Sequence, residues 1–413
     1  MRRGFFQKFR RTAAAGLLAA WCLIGSASAA ADTLPILMYH DLTIDENDTD
    51  SMTVTDERFR LDMEFLQEFG FTPLLSEDLL AIRQGSAAMP EKPVVITFDD
   101  GYRANYDIAY PILQQTGMRA IIAVVAHNIR TAEQASQTRS SMTWEELREM
   151  VSTGTVEVGS HTYNLHNASY GGNLSPDGID GVTRRPGETE SAYRQRVGGD
   201  LQKSIELIRQ YTGQARVWYF SYPFGAYDPW METLLEESGI YVSTLTYSDM
   251  ANISWSLQKM PRYGIRMDNP VSDLLRQTDT AVPVQAEVSV NGQAHTLTAY
   301  NIDGNNYVRV RDVAALLKDT ASGFDVQWNE GLFQVELASF TPYTPLGTEN
   351  APLPAGGRTV QSILEPTAAD GTLHMVAAYN IDGCTFYKLR SLGELCGFTV
   401  GWDEQAQAVQ VTA

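Results

Sequence analysis

Val94-Val95-Ile96-Thr97-Phe98-Asp99-Asp100-Gly101 is an apolar, β-branched run that stops on two adjacent carboxylates and a glycine. Val94 to Phe98 has the composition of a strand buried on both faces, as in a parallel sheet. Asp99 and Asp100 then fall at its C-terminal end, where an α/β barrel keeps its chemistry. Two neighbouring carboxylates repel unless a shared proton or a cation separates their roles. A plain Asp-Asp-Gly turn before a solvated loop is the alternative. Further on, Thr155-Val156-Glu157-Val158 runs into Gly159-Ser160-His161-Thr162-Tyr163-Asn164-Leu165-His166, a second β-branched run that ends in candidate metal ligands.

Working outward, strand patterns alternate with helix patterns. Strands begin at Leu34, Val94, Arg119, Val156, Arg216, Tyr241 and Met260. The helices between them carry stop glycines at 70, 85, 117, 154 and 213, and Thr143-Trp144-Glu145-Glu146 reads as a capping box. This alternation predicts a parallel sheet with helices outside. Because Asp99, Asp100, His161, Pro223 and His40 all sit at strand C-terminal ends, the expected form is an α/β fold, a distorted (β/α)7 barrel. The Gly-, Asn- and Ser-rich stretch from Asn167 to Gly187 has no period and reads as a long functional loop.

At the N-terminus, Arg2, Arg3, Lys8, Arg10 and Arg11 precede an apolar run from Ala13 to Ile24 and a small-residue segment ending at Ala31. Residues 1–31 are therefore expected to be a signal peptide and the product secreted or envelope-associated. No other stretch is long and apolar enough for a transmembrane anchor. The leader holds five of the 31 basic residues, which leaves 26 against 50 acidic ones. Such a chain repels nucleic acid and anionic membranes, while a neutral or cationic polymer suits it.

Residues 32–278 are expected to form the barrel domain, 279–286 a linker, and 287–413 a small α+β domain of two repeats. Ala299-Tyr-Asn-Ile-Asp-Gly304 recurs as Ala378-Tyr-Asn-Ile-Asp-Gly383, and Gly323-Phe-Asp-Val-Gln-Trp328 as Gly397-Phe-Thr-Val-Gly-Trp402. Each copy reads as strand, short helix, strand, too small to bury a core alone. Cys384 and Cys396 replace Asn305 and Leu317 of the first copy. Their joint appearance favours a disulfide in an exported protein, with two separate thiols as the alternative.

Asp100, His161 and His166 make a two-nitrogen, one-oxygen set with room for water, as in hydrolytic zinc sites. One divalent ion is expected, Zn²⁺ first, with Co²⁺, Ni²⁺ or Fe²⁺ as alternatives. Histidine is scarce, six in the chain, yet two fall five apart here. Thr97-Phe-Asp-Asp-Gly101, Ser160-His-Thr-Tyr-Asn-Leu-His166 and Phe220-Ser-Tyr-Pro-Phe-Gly225 together resemble the successive motifs of the polysaccharide deacetylase family, the NodB-homology or carbohydrate esterase 4 fold. Leu37-Met-Tyr-His40 resembles the opening signature of its poly-N-acetylglucosamine deacetylase branch, and the likeness runs from about Leu34 to Leu275.

That resemblance implies a metal-dependent hydrolase that removes N-acetyl groups from an extracellular or cell-envelope amino-sugar polymer. It implies Asp99 as general base, Asp100, His161 and His166 as metal ligands, and Tyr222, Pro223 and Phe224 as the oxyanion and substrate wall, with the Tyr222 N–H as donor. Where many relatives carry arginine before the proline turn, this chain has Ser221, so Arg262 is expected to orient Asp99. No histidine lies between His166 and His295, which leaves His40 as the expected acid, with His127 as competitor. Tyr102, Tyr170, Tyr222, Phe224 and Trp230 are candidate sugar-stacking faces. The C-terminal repeats resemble stalk-type, copper amine oxidase N-terminal-like modules, which implies spacing or cell-wall contact and no copper chemistry; His295 and His374 there read as structural. A catalytically degenerate carbohydrate-binding barrel, or an amidase for a small non-sugar substrate, are the alternative functions.

Overall fold

The structure, a computed structural model, describes residues 33–131, 133, 141–166, 181–276, 278–332, 334–404 and 408–413. The expected leader, Tyr170 and most of the 167–187 loop lie outside these residues.

Seven parallel strands form the N-terminal sheet: β1 (Ile36–Tyr39), β2 (Pro93–Asp100), β3 (Ala120–Val124), β4 (Val156–Ser160), β5 (Tyr219–Ser221), β6 (Val242–Thr244) and β7 (Tyr263–Gly264). Their order is β6-β5-β4-β3-β2-β1-β7, with the short strand Thr72–Pro73 paired to the start of β2. The two ends of that order are stitched together just before β7. Met260 N donates to Ser243 O at 2.8 Å, Leu245 N to Met260 O at 2.9 Å, Arg262 N to Tyr247 O at 3.0 Å, and Ile265 N to Met38 O at 2.9 Å. The sheet thus curls into the distorted (β/α)7 barrel that the alternating pattern predicts.

Strand alternation divides the side chains into two sets. Leu37, Ile96, Phe98, Ile122 and Val158 face the helices and pack on α1 (Asp56–Glu68), α3 (Tyr110–Thr116), α4 (Trp144–Ser152) and α5 (Gly199–Thr212) through residues such as Phe59, Leu66, Leu113, Leu147 and Ile208, while α2 (Ser76–Arg83) sends Leu79 to the interior cluster. Ile36, Val95, Ile121, Ala123, Tyr219 and Val242 fill the interior. Gly159 belongs to that interior set, and a Cβ there would come within 2.6 Å of the Tyr219 ring. The capping box is present: Glu146 N donates to Thr143 Oγ1 at 3.2 Å, and Thr143 N to Glu146 Oε2 at 2.7 Å. α6 (Pro229–Glu237) starts on an Asp228 cap, and α7 (Val271–Leu274) is tied to α1 by Val271 N donating to Asp62 Oδ1 at 3.0 Å.

The stretch 279–286 is not a linker. It lies inside a 13-residue strand, β8 (Thr278–Val290), because Ala281, Ala286, Val288 and Val290 are buried while polar neighbours face water. Each repeat is also larger than strand-helix-strand. The first copy is β8, β9 (Gln293–Ile302), β10 (Asn305–Arg309), α8 (Val310–Leu317), β11 (Phe324–Asn329) and β12 (Gln334–Ser339). The second is β13 (Arg358–Ala369), β14 (Thr372–Ile381), β15 (Cys384–Lys388), α9 (Leu389–Cys396), β16 (Thr399–Asp403) and β17 (Ala408–Thr412). β12 pairs with β13 of the second copy, and β17 pairs with β8 of the first. Each copy therefore donates its closing hairpin to the other's opening strand. Both opening strands also pair with one another, Thr278–Ala281 against Arg358–Gln361.

The barrel and the C-terminal β-rich domain share buried surface. Phe69 meets Tyr379 edge-on at 6.1 Å, Lys388 Nζ donates to Glu68 O at 2.9 Å, and Lys92 Nζ reaches Asp303 at 2.9 Å. The expected disulfide is absent: Cys384 is an exposed thiol at the start of β15, and Cys396 is a buried thiol at the end of α9 whose burial pushes it up to about 12.

Glu157 on β4 tests the linkage between burial and stability. Its Oε2 accepts the Ser76 N–H at 2.9 Å, and its Oε1 is buried with no hydrogen-bond partner. Burial pushes the carboxyl from its usual 4.5 up to about 7, against the pull of the Ser76 N–H. The raised value means stability is complete below pH 4.5 and falls as pH rises through 7. Glu157→Gln keeps an oxygen for Ser76 and removes the charge. Denaturant unfolding should show no gain in acid and a gain of roughly 2–3 kcal/mol above neutrality.

Candidate active site

The site gathers at the C-terminal mouth of the barrel. Alternation would turn Asp100 away from the interior, but its backbone is left-handed (φ 73°), and so is that of Gly101 (φ 81°). At Gly101 a Cβ would stand 2.9 Å from Ile129 Cδ1, so the turn excludes a side chain. Thr162 (φ 77°) and Phe224 (φ 57°) are held in the same unfavourable region on either side of the mouth. Strained backbone on three converging loops is a mark of a working site.

One ligand atom from each of Asp100, His161 and His166 lies within 4.8 Å of the others. His161 Nε2 is 3.6 Å and His166 Nε2 3.2 Å from Asp100 Oδ1. His161 Nδ1 is 2.8 Å from Ser221 O. A carbonyl can only accept, so Nδ1 carries a proton, and in the neutral tautomer Nε2 is the nitrogen with the lone pair. Burial, helped by the neighbouring His161, pushes His166 down to about 4, so the His166 imidazole is neutral near pH 7. Asp100 Oδ1 is buried with no hydrogen-bond partner among the described residues. A buried carboxylate oxygen without a hydrogen-bond partner and two imidazole nitrogens converge here, and a divalent cation is what this donor set fits.

Asp99 differs in every respect. Its Oδ1 accepts Arg262 Nη1 at 2.8 Å, and its Oδ2 accepts Arg262 Nη2 at 2.7 Å and Ser221 Oγ at 2.9 Å. Burial alone would raise its carboxyl; the Arg262 guanidinium overrides this and holds it well below the usual carboxylate range. Arg262 is itself fully buried and further held by Leu245 O at 2.9 Å and Thr97 Oγ1 at 3.2 Å. A carboxylate has about four acceptor positions, so these three bonds leave one open, on Oδ1.

His40 follows β1, and its carbonyl accepts Nδ2 of the fully buried Asn105 at 2.8 Å. Burial lowers its imidazole from the usual value, while Asp99 and Asp100 pull the other way, so it stands in the field of both carboxylates. Tyr102 is hydrogen-bonded to Asp100, and burial and that charge push its phenol up to about 12.

Residues 86–243 match the family described as polysaccharide deacetylase. This stretch is a polysaccharide deacetylase domain. The poly-β-1,6-N-acetyl-D-glucosamine N-deacetylase of Escherichia coli K12 is 26% identical over 258 residues, 59% of this chain and 38% of that protein. YxkH of Bacillus subtilis, named for the same family, is 27% identical over 213 residues, 52% of this chain and 64% of that protein. The chain thus spans less than two thirds of either relative. A de-N-acetylase from Aggregatibacter actinomycetemcomitans shares the fold, with a TM-score of 0.51 at 23% identity over 59% of this chain and 98% of that one. His40 and Arg262 fall outside the matched residues of the deacetylase domain and reach its site only through the curl of the sheet.

Several expected residues sit differently. The Tyr222 N–H donates to Thr244 O at 3.1 Å and is not open to an oxyanion, because β5 and β6 still pair at that level. Pro223 has no N–H. The exposed ring of the next residue, Phe224, lies 4.6 Å from His166. Tyr222 is fully buried, and Trp230 packs on Tyr193 at 5.4 Å under the Arg184 guanidinium at 4.5 Å, so neither presents a free face. His127 is exposed and bonded through Nδ1 to Tyr163 OH at 3.2 Å, a rim position. Sequence reasoning missed Asn105 and Thr97; nothing in their spacing marks them, since each acts through a contact more than sixty residues away in the chain.

Removing Arg262 leaves Asp99 a buried, uncompensated charge. Arg262→Met should lose about 3–5 kcal/mol of unfolding free energy, and the double variant with Asp99→Asn should recover part of it. A denaturant series on the two single variants and the double measures both.

Proposed function

We propose that the protein is a metal-dependent hydrolase that removes N-acetyl groups from an amino-sugar polymer outside the cell or in its envelope. The observation that carries this reading is the contrast between two adjacent carboxylates: Asp100 turns an Oδ1 without a hydrogen-bond partner toward two imidazoles, while Asp99 is locked to Arg262. Asp100, His161 and His166 would hold one divalent ion, Zn²⁺ by donor type, which supplies Lewis acidity and makes water more acidic.

The chain's own residues then divide the remaining work. Asp99 is ionised at any working pH, and its open Oδ1 position accepts the proton of the attacking water. Arg262 and Ser221 fix that carboxylate's direction, so Ser221 takes part of the place that arginine fills in many relatives. The oxyanion role falls to the Phe224 N–H, the first amide after Pro223 on the loop whose ring meets His166. His40 delivers a proton to the departing sugar amine. Phe224 and Tyr102 flank the mouth as apolar faces for the sugar rings. The acidic surface, net −19 overall, suits a polymer that gains positive amines as it loses acetyl groups. Export through residues 1–31 fits such a substrate. Among the described residues no helix is long and apolar enough to cross a membrane.

Acetate release from N-acetylglucosamine oligomers should be abolished by a chelator and restored by Zn²⁺. Asp99→Asn should retain full metal content while turnover falls about 10²–10⁴-fold. His161→Ala should lose both metal and turnover. Equal metal loss in the two variants would overturn this division of roles.

A further inference from the structure

The C-terminal domain contains a cleft of 780 Å³ between the β11–β12 hairpin and the β13–β15 strands, away from the deacetylase site. We propose that this cleft is a second glycan-binding site, which takes an uncharged stretch of hexosamine polymer against the Trp328 indole. The choice of sugar rests on the deacetylase reading above; the existence of the site does not.

Three features define the ligand class. First, Trp328 forms one wall and is 49% exposed, a large apolar face left to water on a paired strand. Its cross-strand neighbour is Val335, and in the second copy Trp402 stands opposite Val409, 58% exposed. Of the two Gln-Trp and Gly-Trp strand ends, the flanking residue changes and the exposed indole stays. A flat indole with a free face is suited to the apolar C–H face of a sugar ring.

Second, the charged side chains lining the cleft are held by internal hydrogen bonds, and one arginine among them is ion-paired. Arg309 Nε is 2.8 Å from Asp312 Oδ2, and its Nη2 donates to Ala351 O at 2.7 Å. Arg311 Nη1 donates to Val326 O at 2.9 Å. Glu349 accepts from Tyr343 OH at 2.7 Å and Gly347 N at 2.8 Å, and buried Glu365 is hydrogen-bonded to Thr385. With three acids (Asp312, Glu349, Glu365) against two arginines in its lining, the cleft disfavours a phosphate, uronate or nucleic acid, and the acidic chain repels them. Third, Asn380 and Gln327 edge the cleft with amides that match sugar hydroxyls or an acetamide. The volume falls within the range of pockets that enclose small ligands, about 300–1,000 Å³. A polymer held here and at the barrel mouth is bound at two points, which raises its local concentration at the site of reaction.

The test uses the full chain carrying Trp328→Ala, with Trp328→Phe and Asn380→Ala as companions. Affinity electrophoresis through gels containing partly acetylated poly-N-acetylglucosamine reads polymer binding, and acetate release from N-acetylglucosamine trimer reads the barrel alone. Trp328→Ala should weaken retention at least about fivefold with trimer kcat/KM unchanged, and Trp328→Phe should restore most of it. Asn380→Ala should weaken retention without touching the indole. Unchanged retention in both Trp328→Ala and Asn380→Ala would overturn the proposal. Loss of trimer activity in the wild type with retention intact would instead count against the deacetylase reading and leave this site standing.

Discussion

The buried pair between Asp99 and Arg262 is the constraint on which the rest of the barrel depends. Two carboxylates in sequence cannot both be buried at one strand end without compensation of different kinds. Asp99 receives a guanidinium with both oxygens engaged, at 2.8 and 2.7 Å. Asp100 is turned out of strand alternation by a left-handed backbone and meets two imidazoles instead. Arg262 comes from the segment that joins β6 to β7, the two ends of the strand order, and so closes the sheet. The closure that completes the barrel and the neutralisation that allows Asp99 to be buried are therefore one structural event.

The ring of contacts around that pair explains how one mouth can hold an ion-paired carboxylate and a metal-fitting donor set side by side. Ser221 donates its hydroxyl to Asp99 and its carbonyl accepts from His161, so a single residue sets the direction of both halves. Movement of β5 would disturb the base and a ligand together. The C-terminal domain applies a different solution to stability. Its copies exchange closing hairpins, so neither can bury its core without the other, and Phe69, Tyr300, Tyr307, Tyr379 and Phe386 carry apolar packing across to the barrel.

Periodicity made the strands and most helices legible, because burial on both faces leaves continuous β-branched runs and burial on one face leaves a 3.6-residue repeat. It failed where pairing, not composition, decides. Residues 279–286 read as a linker, yet they pair first with β13 of the second copy and then with β9. The Tyr222 amide fitted the expected oxyanion donor until its partner Thr244, twenty-two positions on, was placed beside it. Two cysteines in one repeat suggested a bond, but one lies at a strand start and the other at a helix end.

What the amino-acid order determined by itself was local: which segments are strands, that acids and histidines end them, and that the C-terminal part is built twice. These follow from short-range rules of burial and backbone preference. Tertiary structure alone decided which groups meet, since Arg262 reaches Asp99 across 163 positions and Asn105 reaches His40 across 65. Contacts of that span depend on how far a sheet curls and where it closes. No local pattern carries that information, because curl and closure are summed over every strand.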